Sequence, residues 1–387
     1  PVLETEGRRG VVARMLADPA HADRVVAGFD AGPARSDETF VGRVYRELLD
    51  RDPDPEGLGS SLAGLAGGSV RADVIRRVVA SEEYRGLALG RYFPLTDLRQ
   101  LRPDRYGIIH NPGDDPAVIF TAEGPADFDW MESAILDGGY YDKPGVWSFG
   151  IDTDKRLMAE IVASLEPKRV LELGCATGTV LKCLYDQGVA AEGIEISEAA
   201  IKGAFPEVRG GIHQVNATDF KLRSSYDVIF GLDIFEHLNP NRLGDCLERI
   251  EAHLEPGGYV FANIPAFGPD EVFGTVFPVY IGAWLPDSDR GEHFRTLHTD
   301  ELGYPMNGHL IWAMTQWWVR QFEAVGLRRE SGIEAALHDR YDAYLTGAAP
   351  ARVSFYVFSK QVAPEDSGRI EAAIRATPSA VLAEPEV

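Results

Sequence analysis

The chain has 387 residues, 45% of them apolar, so it is long enough for two or three domains with a sizeable core. Acidic residues outnumber basic ones by 60 to 38, and the resulting net charge of -22 disfavours binding to nucleic acid. No apolar stretch approaches the ~18 residues of a membrane helix, so we expect no membrane span. The first residues lack the pattern of a signal peptide, and three irregularly spaced cysteines make no disulfide framework. We therefore expect a cytoplasmic protein.

Residues 1–90 are predicted to form a small all-α module. Their apolar side chains recur at three- and four-residue intervals, and almost no strand pattern interrupts them. Phe40-Val41, the run from Leu48 to Leu58 and Ser81–Arg85 resemble a helical family of unknown function that occurs in bacterial surface and glycan-biosynthesis proteins. The resemblance implies a carbohydrate context for the chain and no defined reaction.

Residues 91–140 are rich in Pro, Gly and Asp, which predicts a linker with one strand at Ala117–Thr121. In residues 141–362, short apolar runs alternate with amphipathic helices, which is typical of a parallel sheet covered by helices on both faces. Within this domain we expect a long insert at 265–313 and a loop at His338–Arg340. Residues 363–387 are predicted to be a tail with a loose helix.

A glycine loop follows the first apolar strand of this domain, at Gly174–Gly178. Such a loop at the start of a helix lets a nucleotide-like ligand approach backbone amides closely. Glu172 is placed to face the ligand, which favours a cationic ligand over a pyrophosphate. Glu195, at the end of the next strand, can accept both ribose hydroxyls. These residues predict an adenosine-like, positively charged ligand.

Residues 153–360 resemble a class I S-adenosylmethionine-dependent methyltransferase. The matching motifs, in chain order, are Glu172–Gly178, Glu195, Asn216–Phe220, Tyr226–Asp233 and Leu254–Tyr259. The resemblance implies an α/β fold: a seven-stranded, mostly parallel, doubly wound Rossmann-like sheet whose last strand, at 352–360, is antiparallel. Two departures are Ala176, where a glycine is frequent, and Asn216, where an aspartate is frequent.

The same resemblance implies S-adenosylmethionine as cofactor. The residues that would bind it are Glu172, Gly174, Cys175, Ala176, Gly178, Glu195, Ile196, Asn216, Ala217, Leu232 and Asp233. Tyr140 and Tyr141 either close over the methionine end of the cofactor or only pack against the domain.

Asp233, Glu236 and His237 follow the fourth strand of the domain, at the sheet edge where acceptors bind. Helical spacing would put them on one face, as a general base or as ligands of a Mg²⁺ ion that lowers the pKa of an acceptor hydroxyl. Ubiquinone-pathway and small-RNA methyltransferases have a similar Glu-x-x-Glu-His motif, which resembles a metal site. The alternative is a cluster that only caps a helix. As catalytic residues we predict Glu236, His237 and, from the insert, His309.

The insert is rich in aromatic residues, which suit the C–H faces of a sugar ring or merely pack the insert itself. Our leading hypothesis is therefore O-methylation of a sugar hydroxyl in a glycan, a sugar nucleotide or a glycosylated natural product. A phenol or quinone acceptor is the second hypothesis, and a non-catalytic protein that binds S-adenosylmethionine is the third. The sequence leaves the oligomeric state open.

Overall fold

The computed structural model describes residues 15–29, 36–49, 51–81, 83–85, 88, 96–110, 116–138 and 150–383. Tyr140 and Tyr141 lie outside these residues. The chain divides into two compact units: residues 1–96 with 138–146, and residues 97–137 with 147–387. Among the described residues, no helix is long and apolar enough to cross a membrane.

The first unit is helical, as predicted. Its helices are α1 (Pro19–Gly28), α2 (Asp37–Leu49), α3 (Pro55–Ala66) and α4 (Arg71–Ala80). Asp18 and Asp54 cap the first turns of α1 and α3 through side-chain oxygens, and a proline follows each cap. Helices α2 and α4 pack together and bury Phe40, Val44 and Val78 in one shared core.

In the described residues of the second unit there are ten strands, together with helices. Its first elements are α5 (Leu98–Leu101), β1 (Tyr106–Ile109), β2 (Ala117–Thr121), α6 (Pro125–Asp137), α7 (Thr153–Ala163), β3 (Arg169–Leu173), α8 (Thr179–Asp186), β4 (Ala190–Glu195), α9 (Glu198–Gly203), α10 (Pro206–Arg209), β5 (Ile212–Gln214) and β6 (Tyr226–Leu232). The remaining elements are α11 (Leu243–His253), β7 (Leu254–Asn263), α12 (Leu285–Arg290), β8 (Thr296–Thr299), α13 (Thr315–Ala324), β9 (Arg328–Arg329), α14 (Ser331–Ala348), β10 (Phe355–Ser359), α15 (Pro364–Ala376) and α16 (Ala380–Ala383).

Seven strands form one sheet in the order β5-β4-β3-β6-β7-β10-β9. The pairs from β5 to β7 are parallel, whereas β10 is antiparallel to both of its neighbours. Successive residues of β6 face opposite sides: Val228 and Phe230 pack with α7, α8, α14 and α15, and Ile229 packs with α11 and α13. The predicted doubly wound, Rossmann-like sheet is therefore confirmed.

Residues 97–137 are not a linker, in contrast to the prediction. Strands β1 and β2 form a hairpin, and β2 also pairs with β8 of the insert, so that Val118 lies opposite Thr299. Phe120 of β2 is fully buried and stacks on Trp130 of α6. The Pro- and Gly-rich composition of this segment is typical of a linker. The sheet was not predicted because its third strand, β8, comes from a distant part of the sequence.

The segment around His338 is helical, in contrast to the predicted loop. Ile333, Leu337, Tyr341 and Leu345 form a buried stripe at four-residue spacing along α14. Helix α15 of the predicted tail likewise packs on the sheet domain through Ile370 and Ile374. In both segments, sparse apolar residues at helical spacing outweigh the polar residues between them.

Candidate active site

The predicted site residues collect at one edge of the main sheet. Strands β3, β4, β6 and β7 are parallel, so their carboxyl ends lie side by side. The glycine loop follows β3, Glu195 ends β4, and Glu236 and His237 follow β6. In open α/β sheets this edge is the usual ligand-binding crevice.

The glycine loop adopts left-handed backbone at three positions. Gly174 and Gly178 have φ values of 64° and 71°, and Ala176 has 48°. A Cβ atom at Gly174 would lie 2.8 Å from Cδ1 of Ile234, so only glycine lets the loop approach the segment after β6. Gly178 then begins helix α8 as its N-terminal cap.

Glu195 fixes this loop to the end of β4. Its carboxylate accepts hydrogen bonds from the backbone N–H groups of Ala176 at 2.9 Å, Ile196 at 2.8 Å and Ser197 at 2.8 Å. These bonds hold Ala176 in its uncommon left-handed conformation. They also orient the carboxylate at the edge where the sequence predicts ribose hydroxyls.

Glu172 gives the site a buried carboxyl group. Burial raises its pKa well above the usual value, and the charge of Glu195 raises it further. Oε2 of Glu172 and Oγ1 of Thr177 are buried without hydrogen-bond partners. Unpartnered buried oxygens beside a glycine loop suit a ligand with cationic groups, because such a ligand would satisfy them. This part of the site therefore fits S-adenosylmethionine.

The other residues predicted to bind the cofactor differ in burial and in hydrogen bonding. Cys175 is buried with Leu181 and Val208, so its side chain packs behind the loop. Oδ1 of Asn216 accepts two hydrogen bonds from Thr218, one from the backbone N–H and one from the hydroxyl, each at 2.9 Å. Ile196 is 45% exposed and directly follows β4. The structure brings Ala217 and Leu232 to the same sheet edge, and their contacts with adenosine stay predictions.

Glu236, His237 and His309 lie together, with one ligand atom of each within 4.8 Å of the others. Backbone bonds join the insert to the segment after β6: the carbonyl of Glu236 accepts from Leu310 N at 2.8 Å and Ile311 N at 2.9 Å. His237 also hydrogen-bonds the backbone of Gly308. These contacts place the two imidazole rings 4.7 Å apart.

Burial controls the protonation of this cluster. It lowers the pKa of His237 to about 4, and it lowers the pKa of His309 well below the usual value, helped by the neighbouring His237. Burial and then the charge of Asp233 raise the pKa of Glu236, and neither of its carboxylate oxygens has a hydrogen-bond partner. Both imidazoles are therefore neutral near pH 7, which is the form that binds metal ions.

The donor set fits a divalent cation, although a different one from Mg²⁺. Two imidazoles and one carboxylate suit a borderline ion such as Mn²⁺, Fe²⁺ or Zn²⁺. Mg²⁺ takes oxygen ligands almost exclusively, and the cluster offers too few of them. The expectation of Mg²⁺ is therefore not supported by the residues that the structure brings together.

Asp233 does not join the cluster, in contrast to the prediction. Its φ is 50°, and the next turn, Phe235–His237, is a 3₁₀ turn, so the helical spacing of Asp233 to Glu236 and His237 does not apply. Its carboxylate instead forms an ion pair with Arg352. The third member of the cluster is His309, which was predicted as a catalytic residue.

The aromatic residues of the insert mostly pack against one another. Buried members of this group are Phe267, Trp284, Phe294, Tyr304 and Trp312. Tyr280 is 39% exposed, and its hydroxyl lies 3.1 Å from Nδ1 of His298. His293 is held between the rings of Phe128 and Trp317. Neither His293 nor His298 is part of the Glu236 cluster.

Sequence reasoning missed two groups of residues at this edge. Arg352 comes from the turn before β10 and contacts the ends of β6 and β7. Asn239 donates from Nδ2 to Asp129 at 2.8 Å and Glu132 at 2.9 Å, which ties the segment after β6 to helix α6. No motif marks either group, because the partners are far apart in sequence.

Two parts of the chain match known families. Residues 152–328 match the family described as a methyltransferase domain, and residues 29–88 match a domain of unknown function, DUF4214. Among solved structures, CalS10, an amino pentose methyltransferase from Micromonospora echinaspora, has a TM-score of 0.38 and 17% identity, covering 58% of this chain and 96% of that chain. DesVI of Streptomyces venezuelae has a TM-score of 0.37 and 20% identity, covering 55% of this chain and 93% of that chain.

Curated relatives share shorter regions. A ubiquinone biosynthesis O-methyltransferase of Bordetella avium is 27% identical over 145 residues, which are 35% of this chain and 57% of that protein. Hemagglutinin 1 of Eikenella corrodens is 27% identical over 117 residues, 28% of this chain and 38% of that protein. The chain thus spans less than two thirds of the length of these relatives. The match over 152–328 covers the glycine loop, Glu195 and the Glu236 cluster, so the part of the chain that carries these residues resembles a methyltransferase domain, and residues 29–88 resemble the DUF4214 domain.

Proposed function

We propose that the protein transfers a methyl group from S-adenosylmethionine to a hydroxyl oxygen of a sugar. The donor would lie on the glycine loop at Gly174–Gly178, with Glu195 accepting its ribose hydroxyls. The observation that carries the proposal is the cluster of Glu236, His237 and His309, which follows β6 at the same sheet edge as that loop. A hydroxyl acceptor needs help to lose its proton, whereas a neutral amine acceptor needs much less.

The transfer is an in-line displacement, so the enzyme must align the acceptor oxygen, the methyl carbon and the sulfur. The acceptor proton is the harder requirement. With a pKa of about 4, His237 alone is a weak base for a sugar hydroxyl, because a catalytic base works best when its pKa lies near the working pH. A divalent ion bound by the cluster would lower the pKa of the acceptor hydroxyl. The protein itself would hold the carboxylate of Glu236 and the imidazoles of His237 and His309 at the distances that this ion requires.

The sugar assignment is supported by the carbohydrate context that the DUF4214 resemblance implies. The aromatic insert supports it less than expected, since most of its rings are buried against one another. A phenol or quinone acceptor is the second candidate, because curated relatives of this chain bear the name ubiquinone biosynthesis O-methyltransferase. Such an acceptor ionises more readily and would place weaker demands on the cluster.

The test is release of S-adenosylhomocysteine from the purified protein against two acceptor panels, free and nucleotide-linked sugars and catechol-type phenols. We expect turnover with a sugar, loss of turnover after chelation, and recovery with Mn²⁺ or Zn²⁺ but not with Mg²⁺. Glu236→Gln should remove this recovery, because it replaces the carboxylate ligand. Turnover confined to the phenols would establish the second candidate instead.

A further inference from the structure

Residues 300–308 form the loop that joins β8 to His309 of the cluster. Near the start of this loop, Oδ1 of Asp300 accepts a hydrogen bond from the backbone N–H of Leu302 at 2.9 Å, which folds the chain into a turn. The loop ends in the 3₁₀ turn Met306–Gly308, directly before His309. The position of the loop therefore determines where the imidazole of His309 lies.

The same loop orients His237 through the backbone of Gly308. Burial lowers the pKa of His237, whereas the contact with Gly308 acts in the opposite direction, as expected of a carbonyl that accepts from the ring. The N–H of Gly308 is already bonded to the carbonyl of Pro305 at 2.8 Å. A ring nitrogen that donates to a backbone carbonyl fixes the tautomer, and the other nitrogen is left to accept a proton or bind a metal ion.

Tyr106, the first residue of β1, contacts this loop directly. Its hydroxyl donates to the carbonyl of Gly303 at 2.8 Å, and burial raises the pKa of Tyr106, which keeps the hydroxyl protonated. Gly303 has a left-handed φ of 87°, and a Cβ atom there would lie 2.9 Å from the ring of Tyr106. The backbone N–H of Leu98 adds a bond to the carbonyl of Leu302 at 2.8 Å. The segment before β2 thus holds the loop at two adjacent carbonyls.

We propose that Tyr106 is a positioning residue, which aligns the two imidazoles of the Glu236 cluster by holding residues 300–308. The bond to Gly303 fixes the loop, the end of the loop carries His309, and the carbonyl of Gly308 orients His237. Groups that orient histidines in this way affect both metal affinity and activity. The proposal rests on the role proposed above for the cluster, and the alignment of its imidazoles is measurable without an acceptor or a metal ion.

The first test is NMR of the ¹⁵N-labelled histidine rings in the full-length chain without metal, with signals assigned by their loss in His237→Ala and His309→Ala. The wild type should show one tautomer of His237. In Tyr106→Phe, which keeps the ring and loses the hydroxyl, His237 should show both tautomers and the signals of His309 should shift. Tyr226→Phe is the matched control, because it removes a tyrosine hydroxyl that bonds Glu192 at the other end of β6. It should leave both histidines unchanged.

The second test is the affinity for Co²⁺, whose visible absorption reports on its ligands. Tyr106→Phe should bind Co²⁺ about tenfold more weakly than the wild type, the lower end of the range for groups that orient metal-binding histidines. Glu236→Gln shows that the ion lies at the cluster, because it removes the carboxylate ligand. Calorimetry should give the same affinity for S-adenosylhomocysteine in Tyr106→Phe and the wild type, and kinetics should give a lower kcat with an unchanged KM for the donor.

Two outcomes would overturn the proposal. The first is histidine signals that are identical in Tyr106→Phe and the wild type. The second is equal changes in Tyr226→Phe, since a general loss of stability would then explain both variants. Gly303→Ala forces the loop away from the ring and should reproduce the spectrum of Tyr106→Phe. If the wild type binds no Co²⁺ while the histidine signals change as expected, Tyr106 keeps its positioning role, and only the metal-assisted step of the proposed function fails.

Discussion

The carboxylate of Glu195 has one observed contact and one proposed role, and Glu195→Ala removes both. Its carboxylate holds the glycine loop through three backbone N–H groups, and it is proposed to accept the ribose hydroxyls of the donor. Glu195→Ala should weaken binding of S-adenosylhomocysteine by ~1.5–3 kcal/mol, the range for a charged hydrogen bond. Calorimetry measures this binding free energy, at a temperature where circular dichroism shows that the variant is folded. Glu198→Ala, at an exposed pair with Lys202, is the control; an unaltered affinity in Glu195→Ala would remove Glu195 from the donor site.

His237 is proposed to take part in the chemistry and not in donor binding. Both proton-removal routes, by a base and by a bound cation, need its imidazole, so His237→Ala should lower turnover by roughly 10²–10⁴-fold. Affinity for S-adenosylhomocysteine should stay the same, because the glycine loop and Glu195 are untouched. Steady-state kinetics with calorimetry check both numbers, with the exposed His110→Ala as control. Normal turnover in His237→Ala would make the cluster a structural feature.

Single residues show where sequence reasoning about the site stops. Glu236, His237 and His309 were predicted as site residues from residue type and motif, and the structure brings them together. Asp233 was misplaced because spacing rules assume helical backbone, whereas this residue has a left-handed φ of 50° and turns toward Arg352. The last strand was predicted at 352–360, but nothing in the sequence indicates that the side chain of Arg352 contacts Asp233 and Asn263.

At the scale of elements, helix α6 supports the segment that carries Glu236 and His237. Asn239 is fully buried and donates to Asp129 and Glu132 of this helix. Asn239→Ala removes both of these hydrogen bonds, and Asp129 keeps only the one from Nδ2 of Asn241, so the free energy of unfolding should fall by about 2 kcal/mol. Turnover should fall as well, while donor affinity is kept, because the cluster loses its support.

The matched control for Asn239→Ala is Arg242→Ala, in the same segment. Arg242 forms an exposed ion pair with Asp219, which is worth about 0–1 kcal/mol. Chemical denaturation measures the free energy of unfolding of the two variants, and steady-state kinetics measures their turnover. Equal stability losses, or full turnover in Asn239→Ala, would contradict a positioning role for α6.

Elements with local patterns were predictable, and those with distant partners were not. The strand at Arg169–Leu173 and the helix near Thr315–Ala324 follow from short apolar runs and from the spacing of Trp317, Trp318 and Phe322. Strand β2 was predicted as well, but its sheet was not, since β8 lies far away in the insert. Contacts between distant segments are set by packing, which the local pattern does not report.

At the scale of the whole molecule, every residue proposed for the donor site lies in the second compact unit. A shortened chain that begins at residue 97 should therefore bind S-adenosylhomocysteine as the full chain does. A chain that begins at residue 125 lacks β1 and β2, leaving β8 without its partner, and should melt at a lower temperature. Thermal melts and calorimetry on both chains test this. Loss of binding in the chain from residue 97 would show that the DUF4214 unit supports the donor site.

The central claim is transfer of a methyl group to a hydroxyl oxygen at the Glu236, His237 and His309 cluster. The most direct measurement uses S-adenosylmethionine with a ¹³C-labelled methyl group and follows the label by NMR in the product formed from each sugar acceptor. The account predicts a labelled O-methyl group with the wild type and a rate lower by roughly 10²–10⁴-fold with His237→Ala. Label on nitrogen or carbon, or an O-methyl product formed equally fast by His237→Ala, would contradict it.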